Sequence, residues 1–431
     1  MLYEEARVYL DSVSKYGSVL GLDSIKNLLE ELNNPQNDLT FIHIAGTNGK
    51  GSILAYLSTI LAEAGYRTGR YISPTVTGYL ERFQIDGQWM KEEEYARITD
   101  CVKEAATRVE KQGKPSPTAF EIETAIAFLY FKREHCDFVV LEAGLGGAYD
   151  ATNIVKNTKM CVFASVSMDH IGVLGDTLEE IAEDKAGIIK KGADVVIGDQ
   201  KEKVEKVIRE RAGELGCRIV KAESGKALVT ERNLESQKFS YKEFENMEIH
   251  LAGQHQIENA VIALEAVRML RTQGINIDDQ AVREGLGKTR WPGRFMILGK
   301  HPLVIADGAH NEDAARRLAQ NLEIYLNGKK VTAVMGVFKD KEFEKIAEIM
   351  APYLRSVYAI DLPNKERTLE KEELCEVLER NGIHAEPADS IEEALRLAKQ
   401  QEKEEGTVLV FGSLSYLGEV IRLEEKAAER N

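Results

Sequence analysis

The chain has 431 residues, 43% of them hydrophobic and 29% charged, with a formal net charge of −15. That length exceeds what a single core organises, so two domains are expected, and the acidic balance disfavours nucleic acid as a partner. No apolar run approaches membrane-spanning length, Met1-Leu2-Tyr3-Glu4-Glu5 is not a charged-then-apolar leader, and Cys101, Cys136, Cys161, Cys217 and Cys375 read as unpaired thiols. A cytoplasmic enzyme with no membrane partner is expected, and any anionic ligand must meet its cations in a local cleft.

The first predicted strand covers 39–45 and runs into Gly46-Thr47-Asn48-Gly49-Lys50-Gly51-Ser52, followed by a helix-compatible stretch over 53–64. Such a turn binds phosphates: its backbone N–H groups converge, lysine adds a positive charge, and the new helix offers its N-terminus. The spacing differs from the standard nucleotide-binding loop, because two residues separate the glycines and Gly51 stands between Lys50 and Ser52. A plain turn is the competing reading, and the strand-to-helix context favours nucleotide phosphates.

A second strand over 137–143 carries Glu142 at its end. A buried carboxylate there needs a partner, which is either a lysine or a metal. As a ligand it would bind Mg²⁺ or orient a water near a triphosphate. A third strand over 160–166 precedes Ser167-Met168-Asp169-His170, and His170 is a candidate for metal or phosphate, although Mg²⁺ prefers oxygen. Thr177 and Glu180 form a capping-box pattern for the next helix, in which composition reads Lys185 as a solvated surface lysine.

After a strand over 193–198, the texture from 226 to 251 changes to short alternating segments expected to be antiparallel hairpins. A helix over 254–273 follows, then the Pro- and Gly-interrupted connector 286–295. Beyond it β/α alternation restarts, with strands at 303–306, 331–337, 357–361 and 408–411. The expected architecture is α/β: a parallel-sheet ATPase domain with a phosphate loop and a small antiparallel segment over 1–293, then a smaller Rossmann-like α/β domain over 294–431. Asp307-Gly308-Ala309-His310-Asn311 follows a strand of that second domain and could hold a ribose, a phosphate or an adenine; an Asp helix cap is the competing reading. Phe411-Gly412-Ser413-Leu414-Ser415 is a weaker strand–Gly–Ser–helix junction of the same kind.

Together these pieces resemble the ATP-dependent Mur ligase superfamily, and most closely its folylpolyglutamate synthase/dihydrofolate synthase branch. The motifs are the glycine loop, Ser73-Pro74, Glu81-Arg82, Thr118-Ala119-Phe120-Glu121-Ile122-Glu123-Thr124, Gly144-Leu145-Gly146-Gly147 with Asp150-Ala151-Thr152-Asn153, and Asp169-His170. They continue with Lys185-Ala186-Gly187, Gly253-Gln254-His255-Gln256 with Asn259-Ala260, Trp291-Pro292-Gly293-Arg294 and Asp307 to Asn311, so the resemblance spans the chain. It implies a phosphate loop from Gly46 through Thr47, Asn48, Gly49, Lys50 and Gly51 to Ser52, and Mg²⁺ ligands Ser73, Glu142 and His170. It further implies a carbamylated Lys185, and nucleotide contacts from Asn259, Arg294, Asp307 and His310. Lys50, Lys185 and His170 would be catalytic; Arg82, Phe120, Glu121, Thr124, Asp150 and Ser413 would contact the other substrates.

The implied reaction joins L-glutamate to dihydropteroate or a folate, with ATP as co-substrate and an acyl phosphate as intermediate, in a monomeric enzyme. Thr75-Val76, Ala148 and Glu312 depart from the family's usual His-Leu, Arg and Pro, and the resemblance implies that Thr75 and Ala148 lie near where the family holds its acceptor. Two other readings are a ligase acting on a UDP-linked acceptor and a non-catalytic nucleotide-binding relative. The Gly-Lys-Gly-Ser ending and the Thr118–Thr124 motif argue against the first; intact Lys50, Glu142, His170 and Lys185 argue against the second.

Overall fold

The computed structural model describes residues 1–14, 21–169 and 172–429. His170 lies outside the described residues. The first domain is built on strands β1 (Phe41–Ala45), β2 (Thr68–Tyr71), β3 (Phe83–Ile85), β4 (Gln88–Trp89), β5 (Phe138–Glu142), β6 (Thr158–Phe163), β7 (Asp194–Ile197) and β8 (Ile219–Lys221). They form one sheet in the order β4-β3-β2-β5-β1-β6-β7-β8. All neighbours from β2 across to β8 are parallel, and β3 and β4 add an antiparallel edge hairpin.

β1 sits at the centre and is buried along its whole length. A strand's side chains alternate between faces, and both faces here are covered, so the sequence reads as an unbroken apolar run. Ile42 and Ile44 join Val140 in one core, against the helices Lys50–Glu63, Gln254–Thr272 and Asp279–Lys288. Phe41, Val139 and Leu141 face the other way, toward Tyr3–Val13, Asp23–Glu31, Glu92–Lys111 and Ala119–Arg133. The helix Lys50–Glu63 is apolar nearly all round because other helices cover its outer side. The expected antiparallel segment is a three-stranded sheet of β9 (Leu228–Arg232), β10 (Gln237–Tyr241) and β11 (Phe244–Ile249).

The second domain holds β12 (Met296–Lys300), β13 (Leu303–Ala306), β14 (Val331–Met335), β15 (Leu354–Ala359), β16 (His384–Pro387) and β17 (Thr407–Phe411) in the order β12-β13-β17-β14-β15-β16. Only β12 runs antiparallel to its neighbour. Strands β2, β3, β4, β8, β12 and β16 are absent from the sequence reading. Most are short, polar or at an edge, so they carry no apolar run to betray them. Among the described residues no helix is long and apolar enough to cross a membrane.

The Thr118 motif begins a helix. Glu121 accepts the Thr118 N–H at 2.7 Å and hydroxyl at 2.9 Å, and also the Ile25 N–H at 3.0 Å, tying the first turn of the helix Asp23–Glu31 to this one. Replacing Glu121 with alanine leaves those buried donors unsatisfied, and we expect a loss of about 2–3 kcal/mol in urea unfolding. A loss below about 0.5 kcal/mol would contradict a structural role for this carboxylate.

Candidate active site

The C-terminal ends of β1, β5 and β6 gather the polar groups. β1 delivers the chain into the glycine loop, where Thr47 and Asn48 donate backbone N–H groups to Ser165 O at 2.7 and 3.3 Å, fastening the loop to the segment after β6. The Thr47 hydroxyl extends this tie, donating to Ser167 O and accepting the Ser167 N–H, both at 3.0 Å. Gly49 has φ of 94°, in the left-handed region that glycine adopts freely, and it turns the chain straight into the helix Lys50–Glu63. The first-turn amides of that helix have no partner within it.

Lys50 folds back over the loop. Its ammonium donates to Gly46 O at 3.1 Å and Thr47 O at 3.2 Å and stands 3.8 Å from the Glu142 carboxylate. Glu142 is 6% exposed. Burial raises its pKa above the usual carboxylate value, against the pull of Lys50, Arg294 and the Ser73 backbone N–H. Of the two readings of Glu142, the lysine partner is the one this contact supplies. The Ser73 backbone N–H bonds to Glu142, whose carboxylate is the kind of hard oxygen donor that Mg²⁺ prefers. Among the described residues no group of three His, Cys, Asp or Glu side chains gathers in a metal-ligand cluster.

Lys185 corrects the composition-based expectation. Its helix, Leu178–Ala186, starts with the Thr177–Glu180 capping box as read, yet the lysine is 4% exposed. Burial draws its pKa down to about 8; the Lys50 charge pushes the same way, while Asp184, Asp169 and Asp150 oppose. The double glycine explains how the preceding loop reaches it: a Cβ on Gly147 would lie 2.8 Å from Lys185 Cα and 2.7 Å from Asp184 O. Only an absent side chain permits that approach.

The second domain meets this region directly. Asn48 donates to Asp313 at 2.8 Å and to Asn311 at 3.3 Å, Lys341 pairs with Asp169 at 3.2 Å, and Arg317 pairs with Glu258 at 3.0 Å. Asn259 backs onto the loop, because a Cβ on Gly49 would fall 2.6 Å from its Oδ1. Asp307 accepts the Phe295 and Ala309 N–H groups, both at 2.8 Å. The cap of the helix Glu312–Leu326 is instead Asn311, which accepts the Ala314 N–H at 2.9 Å. His310 Nδ1 lies 2.7 Å from Gly308 O, and burial lowers its pKa to about 4. Arg294 donates to Gly293 O at 3.2 Å, and its charge acts on Glu142, Asp307 and His310 alike. Asp313, Lys341 and Arg317 were not singled out in the sequence; each lies in a helix or a turn, with no motif spacing to mark it. Trp291, which the sequence placed in the connector motif, has its ring where a side chain at Gly51 would lie.

Several residues expected at the substrate have polar groups that face other parts of the fold. Arg82 pairs with Glu123, stacks 4.3 Å over Tyr79, and donates to Tyr79 O at 3.2 Å. Thr124 donates to Phe120 O at 2.8 Å, and Ser413 accepts the Ser415 N–H at 3.2 Å to cap a short turn. Asp150 accepts from Leu145 at 2.8 Å and from Thr152. Phe120 stacks on Tyr71, with centroids 6.1 Å apart, and covers Gly144.

The described geometry matches known proteins along its full length. Residues 44–267 match the Mur ligase middle domain and 293–414 the Mur ligase glutamate ligase domain. A dihydrofolate synthase/folylpolyglutamate synthase from Bacillus subtilis is 32% identical over 427 residues, covering 97% of this chain and 98% of the relative. The crystal structure of folylpolyglutamate synthase from Thermotoga maritima superposes with a TM-score of 0.85 at 32% identity, covering 99% of this chain and 97% of its own. A Mycobacterium tuberculosis folylpolyglutamate synthase, complexed with ADP and AMPPCP, superposes with a TM-score of 0.89 at 28% identity, covering 98% and 99%.

Two sheets meeting over one glycine loop thus define an ATP-dependent ligase of the Mur type. The chain belongs to the Mur ligase family, in its folylpolyglutamate synthase/dihydrofolate synthase branch.

Lys50→Ala removes the loop's cation while leaving the apolar face of its helix intact. We expect a fall in turnover of about 100-fold or more, measured by ADP release, in a variant that still folds but melts somewhat lower because Glu142 loses its buried partner. Near-normal turnover in the folded variant would remove Lys50 from the reaction.

Proposed function

We propose that this chain joins the amine of L-glutamate to a carboxylate of dihydropteroate or a folate, splitting ATP to ADP and phosphate. The acceptor carboxylate attacks the γ-phosphorus, giving an acyl phosphate; the glutamate amine then adds to its carbonyl, and phosphate leaves from the tetrahedral intermediate. Lys50 and the first-turn amides of its helix stabilise charge on the transferred group. Glu142 and Ser73, with His170 as the third ligand that the sequence implies, would hold Mg²⁺, which would neutralise charge at the phosphate oxygens. Asn259, Arg294 and His310 hold the nucleotide, and Asp307 does so through the acceptor positions its two backbone partners leave open. Phe120 offers an aromatic face to the acceptor beside the Gly144 loop. Ser413 and its turn border the glutamate.

The observation that supports this reading best is the meeting of Asn48, in the glycine loop, with Asp313 and Asn311 of the second domain. A nucleotide on that loop touches both domains, so closure assembles the site and keeps water from the acyl phosphate. The reading includes a division between the domains at Gly293 and Arg294, a monomeric cytoplasmic enzyme, and no nucleic acid or membrane among its partners.

Phosphate release tests it. We expect release only when glutamate and either dihydropteroate or a folate are both present, and release with a UDP-linked acceptor alone would overturn it.

Lys185 adds a separate prediction. A neutral amine captures CO₂, and this one loses its proton near pH 8 rather than near its ordinary 10.5. The neutral fraction grows as pH rises through that value, so at fixed dissolved CO₂ a CO₂-depleted enzyme should regain more activity at about pH 9 than at about pH 7. Lys185→Ala should be nearly inactive and partly rescued by a short carboxylic acid, whereas Lys185→Arg should stay inactive. Full activity in the arginine variant would exclude the carbamate.

A further inference from the structure

His43 is an odd residue to find where it stands. It occupies the middle of β1, in register with Leu141 of β5 and Cys161 of β6, and it is 0% exposed. An apolar side chain would fill that place without the cost of burying an imidazole. Its Nε2 lies 3.0 Å from the Thr152 hydroxyl, and its Nδ1 has no hydrogen-bond partner. Thr152, itself fully buried, gives its single hydroxyl proton to Asp150 Oδ1. The hydroxyl oxygen can then only accept from the ring, so Nε2 carries the hydrogen and Nδ1 is bare. The ring is therefore neutral, in keeping with a pKa that burial lowers to about 3.

The chain of hydrogen bonds does not stop at Asp150. Its Oδ1 also takes the Thr152 N–H at 3.0 Å, and its Oδ2 takes the Leu145 N–H at 2.8 Å. A further backbone bond comes from Gly144. Leu145 belongs to the Gly144–Gly147 loop that leaves Glu142 and lies on Asp184 and Lys185. On its far side, Ala148 donates its N–H to Asp184 O at 2.8 Å, and Asn153 donates to Ala148 O at 3.0 Å and to Gly187 O at 3.1 Å. β1 thus holds two loops at once: the glycine loop that continues from its end, and the double-glycine loop through His43.

We infer that His43, Thr152 and Asp150 form a positioning relay, which fixes the Gly144–Gly147 loop relative to the glycine loop and so sets the placement of Glu142 and Lys185 for phosphoryl transfer. This rests on the ligase reading above. It makes Asp150 an anchor rather than a substrate contact. It also gives His43 a function that needs a hydrogen-bond donor at Nε2 and no charge.

The test compares variants that break the relay with variants that keep it. Thr152→Val and His43→Leu remove one link each; Thr152→Ser keeps the hydroxyl, and His43→Gln keeps a donor near the Nε2 position. Turnover is expressed per ADP-binding site, so that unfolded protein does not count. We expect the breaking variants to lose about 10- to 100-fold in kcat, with KM for ATP within about twofold of wild type, and the keeping variants to recover most of it. Wild-type kcat in Thr152→Val or His43→Leu overturns the relay. So does an equal loss in His43→Gln and His43→Leu, or a loss that vanishes once counted per binding site, since both indicate a merely structural role. Should Thr152→Val fail to fold, the two His43 variants decide alone. Absence of glutamate-dependent turnover in the wild type would instead refute the ligase reading.

Discussion

Lys50 and Glu142 meet below the surface, where β1 and β5 end side by side, and the rest of the site is arranged around that meeting. A charge taken out of water is costly unless it is paired, and a pair that loses one member leaves the other exposed to the full penalty. The pairing demands that the two strands be neighbours and that the loop after β1 fold the lysine back over itself. The register of Ile44 against Glu142 provides the first condition. The bonds from Lys50 to Gly46 O and Thr47 O provide the second. Burial keeps the Glu142 carboxyl easier to protonate than usual, so it depends on nearby cations to remain an anion.

Lys50 also tunes Lys185. Its low pKa comes first from burial and then from Lys50, so the two lysines repel one another while Asp184, Asp169 and Asp150 partly compensate. Such a lysine is chemically unlike one on a helix surface: an appreciable part of it is neutral near physiological pH. Gly147 serves this environment by allowing backbone to lie directly on the lysine's own backbone. A side chain at Gly147 would lift the loop and let water in.

Domain contact reaches the same centre from the other side. Asn48, Lys341, Arg317 and Trp291 each join an element of one domain to the glycine loop or its surroundings. Trp291 accounts for the unusual Gly-Lys-Gly-Ser spacing, since its ring occupies the space that a side chain at Gly51 would need. The connector therefore packs against the first turn of the helix that starts with Lys50.

Local pattern alone was enough for the long buried strands, the glycine loop, the Thr177 cap and the restart of β/α alternation after the connector. Those features arise from short-range causes: an apolar run, a residue that permits positive φ, a hydroxyl spaced to cap a helix. Short edge strands such as β4 and β16 lacked that pattern, because exposed strands carry no apolar run. The burial of Lys185 was decided only in three dimensions, since nothing within its own helix distinguishes it from a solvated lysine and the loop that covers it comes from thirty-odd residues earlier in the chain. The partners of Asp307, Glu121 and Asp150 were likewise settled by packing, because a carboxylate's role depends on which donors surround it. Residue types announce the chemistry they are capable of; burial and long-range neighbours decide which of them can use it.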